Sequence, residues 1–190
     1  MKTYCGRRFF VVLWLVIAVS GLSAQEKPVL NAGIVQNFIK NLETMDTAFS
    51  DIEEEDDFLV FAEEMNTFQE SLAAYLYDEG GDFPVFKAVF LQTKSVRAPS
   101  VERVFAAFGM GQKGIEVFFV ITLGMTIGLM ENQIETVLSE TDPGTLDDFD
   151  SEALGKLEAM QNKLVMMRSL IHPDDMAVMD KNLGAFLELF

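Results

Sequence analysis

Ile115–Met130 reads IEVFFVITLGMTIGLM, and the assignment of this stretch decides the fold. It is apolar on every face, so it must be buried or lie in lipid. Only 14 uncharged residues separate Glu116 from Glu131, a length that suits a core helix better than a membrane span. Val117-Phe118-Phe119-Val120-Ile121 has the β-branched and aromatic content of a strand. The chain offers no second convincing strand to pair with it, and a lone strand leaves its backbone groups unsatisfied. The stretch is therefore read as the start of a central helix over residues 115–139.

The flanking sequence supplies the helices to wrap it. Val35, Phe38, Leu42, Met45, Phe49 and Ile52 advance in alternating steps of 3 and 4, as do Phe58, Phe61, Met65, Phe68, Leu72 and Tyr75. Leu154, Leu157, Met160, Leu164, Met167 and Ile171 nearly repeat the pattern, followed by Met176, Met179, Leu183, Phe186 and Phe190. Each set forms one apolar stripe along a helix, with the spacing at which bundle helices pack. The expected fold is all-α, a single bundle of about six or seven helices. Asn31, Asp56 or Asp57, Asp82 and Ser151 are candidate N-caps, and His172-Pro173-Asp174-Asp175 opens the last helix. Ala98-Pro99-Ser100 opens a short helix, and Asp142-Pro143-Gly144 has the composition of a turn. The stripe slips between Ile52 and Phe58, so the Glu53–Asp57 acid run is read as a break.

Met1–Ala24 has the three parts of a secretory signal: Lys2, Arg7 and Arg8, then the apolar run Phe9–Val19, then the small residues Ser20–Ala24. Cleavage is expected after Ala24. An uncleaved anchor is the rival reading, since 17 uncharged residues run from Phe9 to Gln25. Arg7-Arg8-Phe9-Phe10 resembles a twin-arginine signal, but so apolar a core suits the general secretory route. Cys5 precedes the apolar run, the wrong side for a lipidated cysteine.

The full chain of 190 residues has a formal charge of −16, and its 49 % apolar content and mean hydropathy of +0.20 exclude a disordered chain. Removing residues 1–24 leaves 11 bases and 30 acids, a charge of −19 on residues 25–190. Nucleic acid and anionic lipid head groups are therefore excluded as partners. The remaining segment has no Cys, no Trp and one His, so its stability rests on packing alone.

The charge is segregated. Asn41–Phe86 holds 14 acids and no base, whereas Lys87–Lys113 holds five bases and one acid, Glu102. Gly114–Gly155 returns to nine acids without a base. The basic strip either pairs intramolecularly on a solvated face or serves as an interaction surface. Its candidate residues are Phe83, Phe86, Lys87, Phe90, Lys94, Arg97, Arg103, Phe105 and Phe108, which combine positive charge with aromatic rings.

Other motifs read as structure. Gly109-Met110-Gly111-Gln112-Lys113-Gly114 matches the dinucleotide fingerprint, but a helix and not a strand precedes it, so it is a joint between helices. Gly124 and Gly128 permit close helix packing. His172, Met176 and Met179 are spaced to offer soft ligands to Cu(I), yet both methionines also belong to the core stripe. Glu116 is expected in the first turn of the central helix beside Lys113, rather than as a catalytic acid. Asp142, Asp147, Asp148, Asp150 and Glu152 lack the spacing of a calcium loop. No catalytic residue, metal or cofactor is expected, because one His and no remaining Cys leave no convergent set. The expectation is an exported, non-enzymatic binding or interaction module of the bacterial cell envelope, periplasmic or secreted. The alternatives are a carrier of an apolar ligand or lipid in a Phe/Met-lined cavity and, third, a Cu(I)-binding Met-rich protein.

Overall fold

A computed structural model describes residues 27–78, 80–140 and 148–188; the signal segment, the Asp142-Pro143-Gly144 turn and Asp147 lie outside the described residues. The described residues form helices and no strand. In chain order these are α1 (Ala32–Ser50), α2 (Asp56–Tyr77), α3 (Phe83–Thr93), α4 (Pro99–Ala107), α5 (Gly114–Glu140), α6 (Asp148–Arg168) and α7 (Pro173–Leu187).

The 3–4 stripes explain which faces turn inward. Val35, Phe38 and Met45 of α1, Phe61, Phe68 and Tyr75 of α2, and Leu164 and Met167 of α6 are all buried. α5 supplies Ile115, Val117, Phe119, Val120, Ile121, Leu123 and Ile127 to the same core, and packs against α4, α6 and α7. α2 lies on α3, α4 and α6, while α1 bridges α4 and α7. By length and composition α5 could cross a membrane, but 56 % of its most apolar window is buried inside the protein. Its last turns emerge from the core, leaving Val137 and Leu138 exposed.

Aromatic rings form one connected path through this core. From Phe38 the contacts run through Phe118, Phe105, Phe49, Phe61, Phe119, Phe68 and Phe86 to Tyr75, with centroid separations of 5.3–6.2 Å. Edge-on and stacked pairs at this range add stabilisation beyond burial. Much of the phenylalanine excess therefore fills space against other phenylalanines.

α7 seats on the glycine pair of α5. A methyl group on Gly124 would sit 2.8 Å from Met179 Cγ, and one on Gly128 would sit 2.8 Å from Leu183 Cδ1. Gly124→Ala should cost about 1–3 kcal/mol from overpacking, offset by about 1 kcal/mol of helix propensity. A gain of about 1 kcal/mol in urea denaturation, the helix-propensity benefit alone, would contradict the seam. Arg168 locks the same corner. Its guanidinium donates to Glu131 of α5 (2.7 Å) and to Asp180 of α7 (3.0 Å), and these bonds, Glu131's foremost, hold it above its ordinary range.

The caps follow sequence expectation only partly. Asn31 accepts from the Ile34 N–H at 3.0 Å, and the His172 Nδ1 accepts from the Asp174 N–H at 3.1 Å. Asp82 occupies the N-cap of α3 without a side-chain capping bond. At α2 the N-cap is Glu55, also without one, and Asp57, the second residue of the helix, reaches across to α4. Ser151 is not a cap: α6 begins three residues earlier, at Asp148.

Candidate interaction cleft

Two tight connections bring the basic strip together. After α3, the Lys94 N–H bonds the Phe90 carbonyl, the Ser95 N–H the Gln92 carbonyl and the Val96 N–H the Thr93 carbonyl, which reverses the chain towards Pro99. The start of α4 is then fixed by Asp57, whose carboxylate accepts from the Ser100 N–H (2.8 Å) and hydroxyl (2.7 Å). These two bonds hold the Asp57 carboxyl below its usual range. After α4, Gly109 and Gly111 take φ values of +79° and +77°, a region in which glycine alone is unstrained. That joint swings Gln112 and Lys113 back towards the α3–α4 turn.

The result is a cleft of about 260 Å³ where α3, α4 and α5 meet. Lys94, Arg97 and Lys113 line it, with Glu102 and Glu116 beside them and Ser95, Val96, Gln112 and Ile115 completing the wall. The Arg97 and Lys113 side chains are 85 % and 67 % exposed, whereas those of Glu102 and Glu116 are 27 % and 18 % exposed. Arg97 and Lys113 thus stand at the rim with the carboxylates below, and Lys94 is half-buried in the wall. Lys113 Nζ bonds Glu116 at 2.7 Å, while Arg97 lies 3.7 Å from Glu102, beyond hydrogen-bond distance. Lys94 also lies over the Phe90 ring, 5.7 Å from its centroid.

The remaining strip residues are distributed differently. Lys87 is exposed on the outer face of α3 and does not line the cleft. Arg103 points to the α1–α2 turn, where it pairs with Glu55 at 3.4 Å. Phe86, Phe90 and Phe105 are buried in the core, and Phe83 and Phe108 are half-buried against it. This corrects the reading of the aromatic residues as part of the interaction surface: Phe86, Phe90 and Phe105 face the core, while Lys87, Arg97 and Arg103 face solvent. The sequence places Lys113 at the end of the basic strip and Glu116 beside it, but does not show that Gln112, Lys113 and Glu116 close on the α3–α4 turn to form one cleft with Lys94 and Arg97. The two turn glycines were the available signal, but their turn has meaning only once α3 and α5 are neighbours.

A second cleft, also about 260 Å³, lies between the end of α2 and the start of α3 and is lined by Tyr75, Val85, Phe86, Asp78 and Asp82. The candidate copper ligands have other employment. His172 caps α7, Met176 is buried, and Met179 packs on Gly124. Among the described residues, no three His, Cys, Asp or Glu side chains gather to hold a metal. In comparisons with known proteins, no family model, no curated protein and no solved structure matches this chain.

Proposed function

We propose that this chain is an exported, non-enzymatic helical-bundle protein of the bacterial cell envelope, and that it acts as a binding module. In this reading Met1–Ala24 is a signal peptide cleaved near Ala24, and residues 25–190 form one acidic bundle, periplasmic or secreted. The docking surface is the corner built by residues 94–97 and 112–116. One observation carries it: Lys94, Arg97 and Lys113 converge on a single cleft in a chain whose net charge is −16. A local cationic patch in so acidic a protein selects partners by charge. An apolar-ligand carrier is the second reading, supported by the Tyr75, Val85 and Phe86 wall of the other cleft.

The test combines native and intact-mass spectrometry of the protein taken from its own envelope fraction. The reading expects a mass lacking Met1–Ala24 and a bound partner protein. Changing Lys94, Arg97 and Lys113 together to Gln should abolish that partner while shifting Tm by less than about 4 °C, because exposed ion pairs contribute little. A partner that survives the triple variant defeats the docking surface. A small apolar adduct in its place favours the carrier.

A further inference from the structure

We infer that the occupant of this corner is a short acidic, amphipathic segment of a different protein, laid along α3 with its carboxylates at the cleft rim. The inference rests on the docking reading above and adds the chemistry of the partner. The outer face of α3 carries Pro84, Lys87, Ala88 and Leu91, all exposed and spaced to share one side of the helix, and the exposed Ser95 follows in the turn after it. Leu91 is 39 % exposed between Lys87 and Lys94, so an apolar contact is flanked by two cations on the path into the cleft. An acidic amphipathic segment is the complement of that pattern: an apolar residue for Leu91, carboxylates for Lys87, Lys94 and Arg97.

Size and charge argue against the other occupants. A cleft of about 260 Å³ whose wall carries five charged side chains, Lys94, Arg97, Glu102, Lys113 and Glu116, suits a charged side chain better than a whole apolar ligand. Exposed rim cations hold a small free anion weakly, and affinity needs the added contact along α3. A second copy at −19 after cleavage, an anionic membrane or a nucleic acid would be repelled by the whole molecule. A short acidic segment engages the patch within about one Debye length, ~8 Å at physiological salt, where the local cations dominate.

The probe is a labelled 15-residue helical peptide with Glu on one side and Leu on the other, alongside the same peptide with Gln for every Glu. Anisotropy titrations against the protein purified from its envelope should show the Glu peptide binding at least ~10-fold tighter, weakening as salt rises. The paired reversal Lys94→Glu with Arg97→Glu should lower affinity by ~10-fold or more, since each exposed charge contact is worth up to about fivefold. Leu91→Ser should lower it by ~3-fold with the charges intact, and Lys181→Glu on α7 should leave it unchanged. Equal binding of the two peptides, or indifference to the reversal in folded protein, overturns the inference. So does displacement of the peptide by succinate at matching affinity, which marks a small-carboxylate site, or a dimer abolished by the same reversal, which marks a second copy. If the peptide fails while the native partner still depends on Lys94, Arg97 and Lys113, the docking surface stands and the acidic segment falls. A partner indifferent to those three residues removes the surface itself.

Discussion

Phe61→Ala is expected to destabilise the protein by about 3–5 kcal/mol, the range for a buried phenylalanine whose cavity cannot collapse. The side chain is buried, and its ring lies 5.8–6.5 Å from those of Phe49, Phe58, Phe105, Phe118 and Phe119. Those five rings belong to α1, α2, α4 and α5, so the lost volume sits where four helices converge. Flat, stiff rings held by their own neighbours relax poorly into such a gap. With one Cys in the whole sequence, no intrachain disulfide restrains the unfolded state. The fall in Tm should be about 6–20 °C, at ~2–4 °C per kcal/mol for this size. Phe83→Ala is the control: Phe83 is half-buried at the edge, beside Tyr75, and its removal should cost much less. Urea unfolding followed by circular dichroism measures both. Equal losses for the two variants would show that the ring network is not the centre of the core.

The parts of this fold that periodicity controls are legible in the amino-acid sequence. The stripes on α1, α2, α6 and α7 point inward because 3–4 spacing leaves a helix one apolar face. The 115–130 run has to be surrounded because it has no polar face at all, and α5 is indeed buried along its first half. The Gly124–Gly128 pair reads as a close-packing seam, although not which helix fills it. What depends on distant parts of the chain is not legible. Asp56 or Asp57 reads as the α2 cap, yet α2 starts at Asp56 and the Asp57 carboxylate is taken up 43 residues away by Ser100, whose N–H and hydroxyl both donate to it. The aromatic residues of the basic strip suggest a surface because charge and ring alternate there. On a short helix that alternation is one face in and one face out, so Phe86 and Phe90 go to the core and Lys87 to solvent. The cleft depends on the φ of Gly109 and Gly111, a backbone property that the residue type permits without requiring.

Asp175→Ala is expected to cost about 2–6 kcal/mol and to release the segment leading into α1. Asp175 is buried at the third position of α7, 2 % exposed. Its Oδ1 accepts from the Val29 N–H at 3.0 Å and the Leu30 N–H at 2.7 Å, and its Oδ2 lies 3.1 Å from the same Val29 nitrogen. A single carboxylate thus satisfies two backbone donors of residues 145 and 146 positions away. Bonds to a charged acceptor contribute more than neutral ones, about 1.5–3 kcal/mol each, and the first turn of α7 favours the negative charge. Alanine leaves the two N–H groups without an acceptor, at about 1–3 kcal/mol each if they stay buried. The chain can limit that loss by peeling away into water, but it then gives up the burial of Leu30, about 1.5–3 kcal/mol. Either route sets a similar total, so the stability measurement alone does not separate them. Hydrogen exchange does. Peeling should bring the Val29 and Leu30 amides to nearly unprotected rates while Leu123 and Ile127 of α5 keep their protection. Asp175→Asn retains one acceptor oxygen without the charge and should lose about half as much. An unchanged urea midpoint with both amides still protected in Asp175→Ala would mean that Leu30 packing, rather than the carboxylate, holds the segment in place.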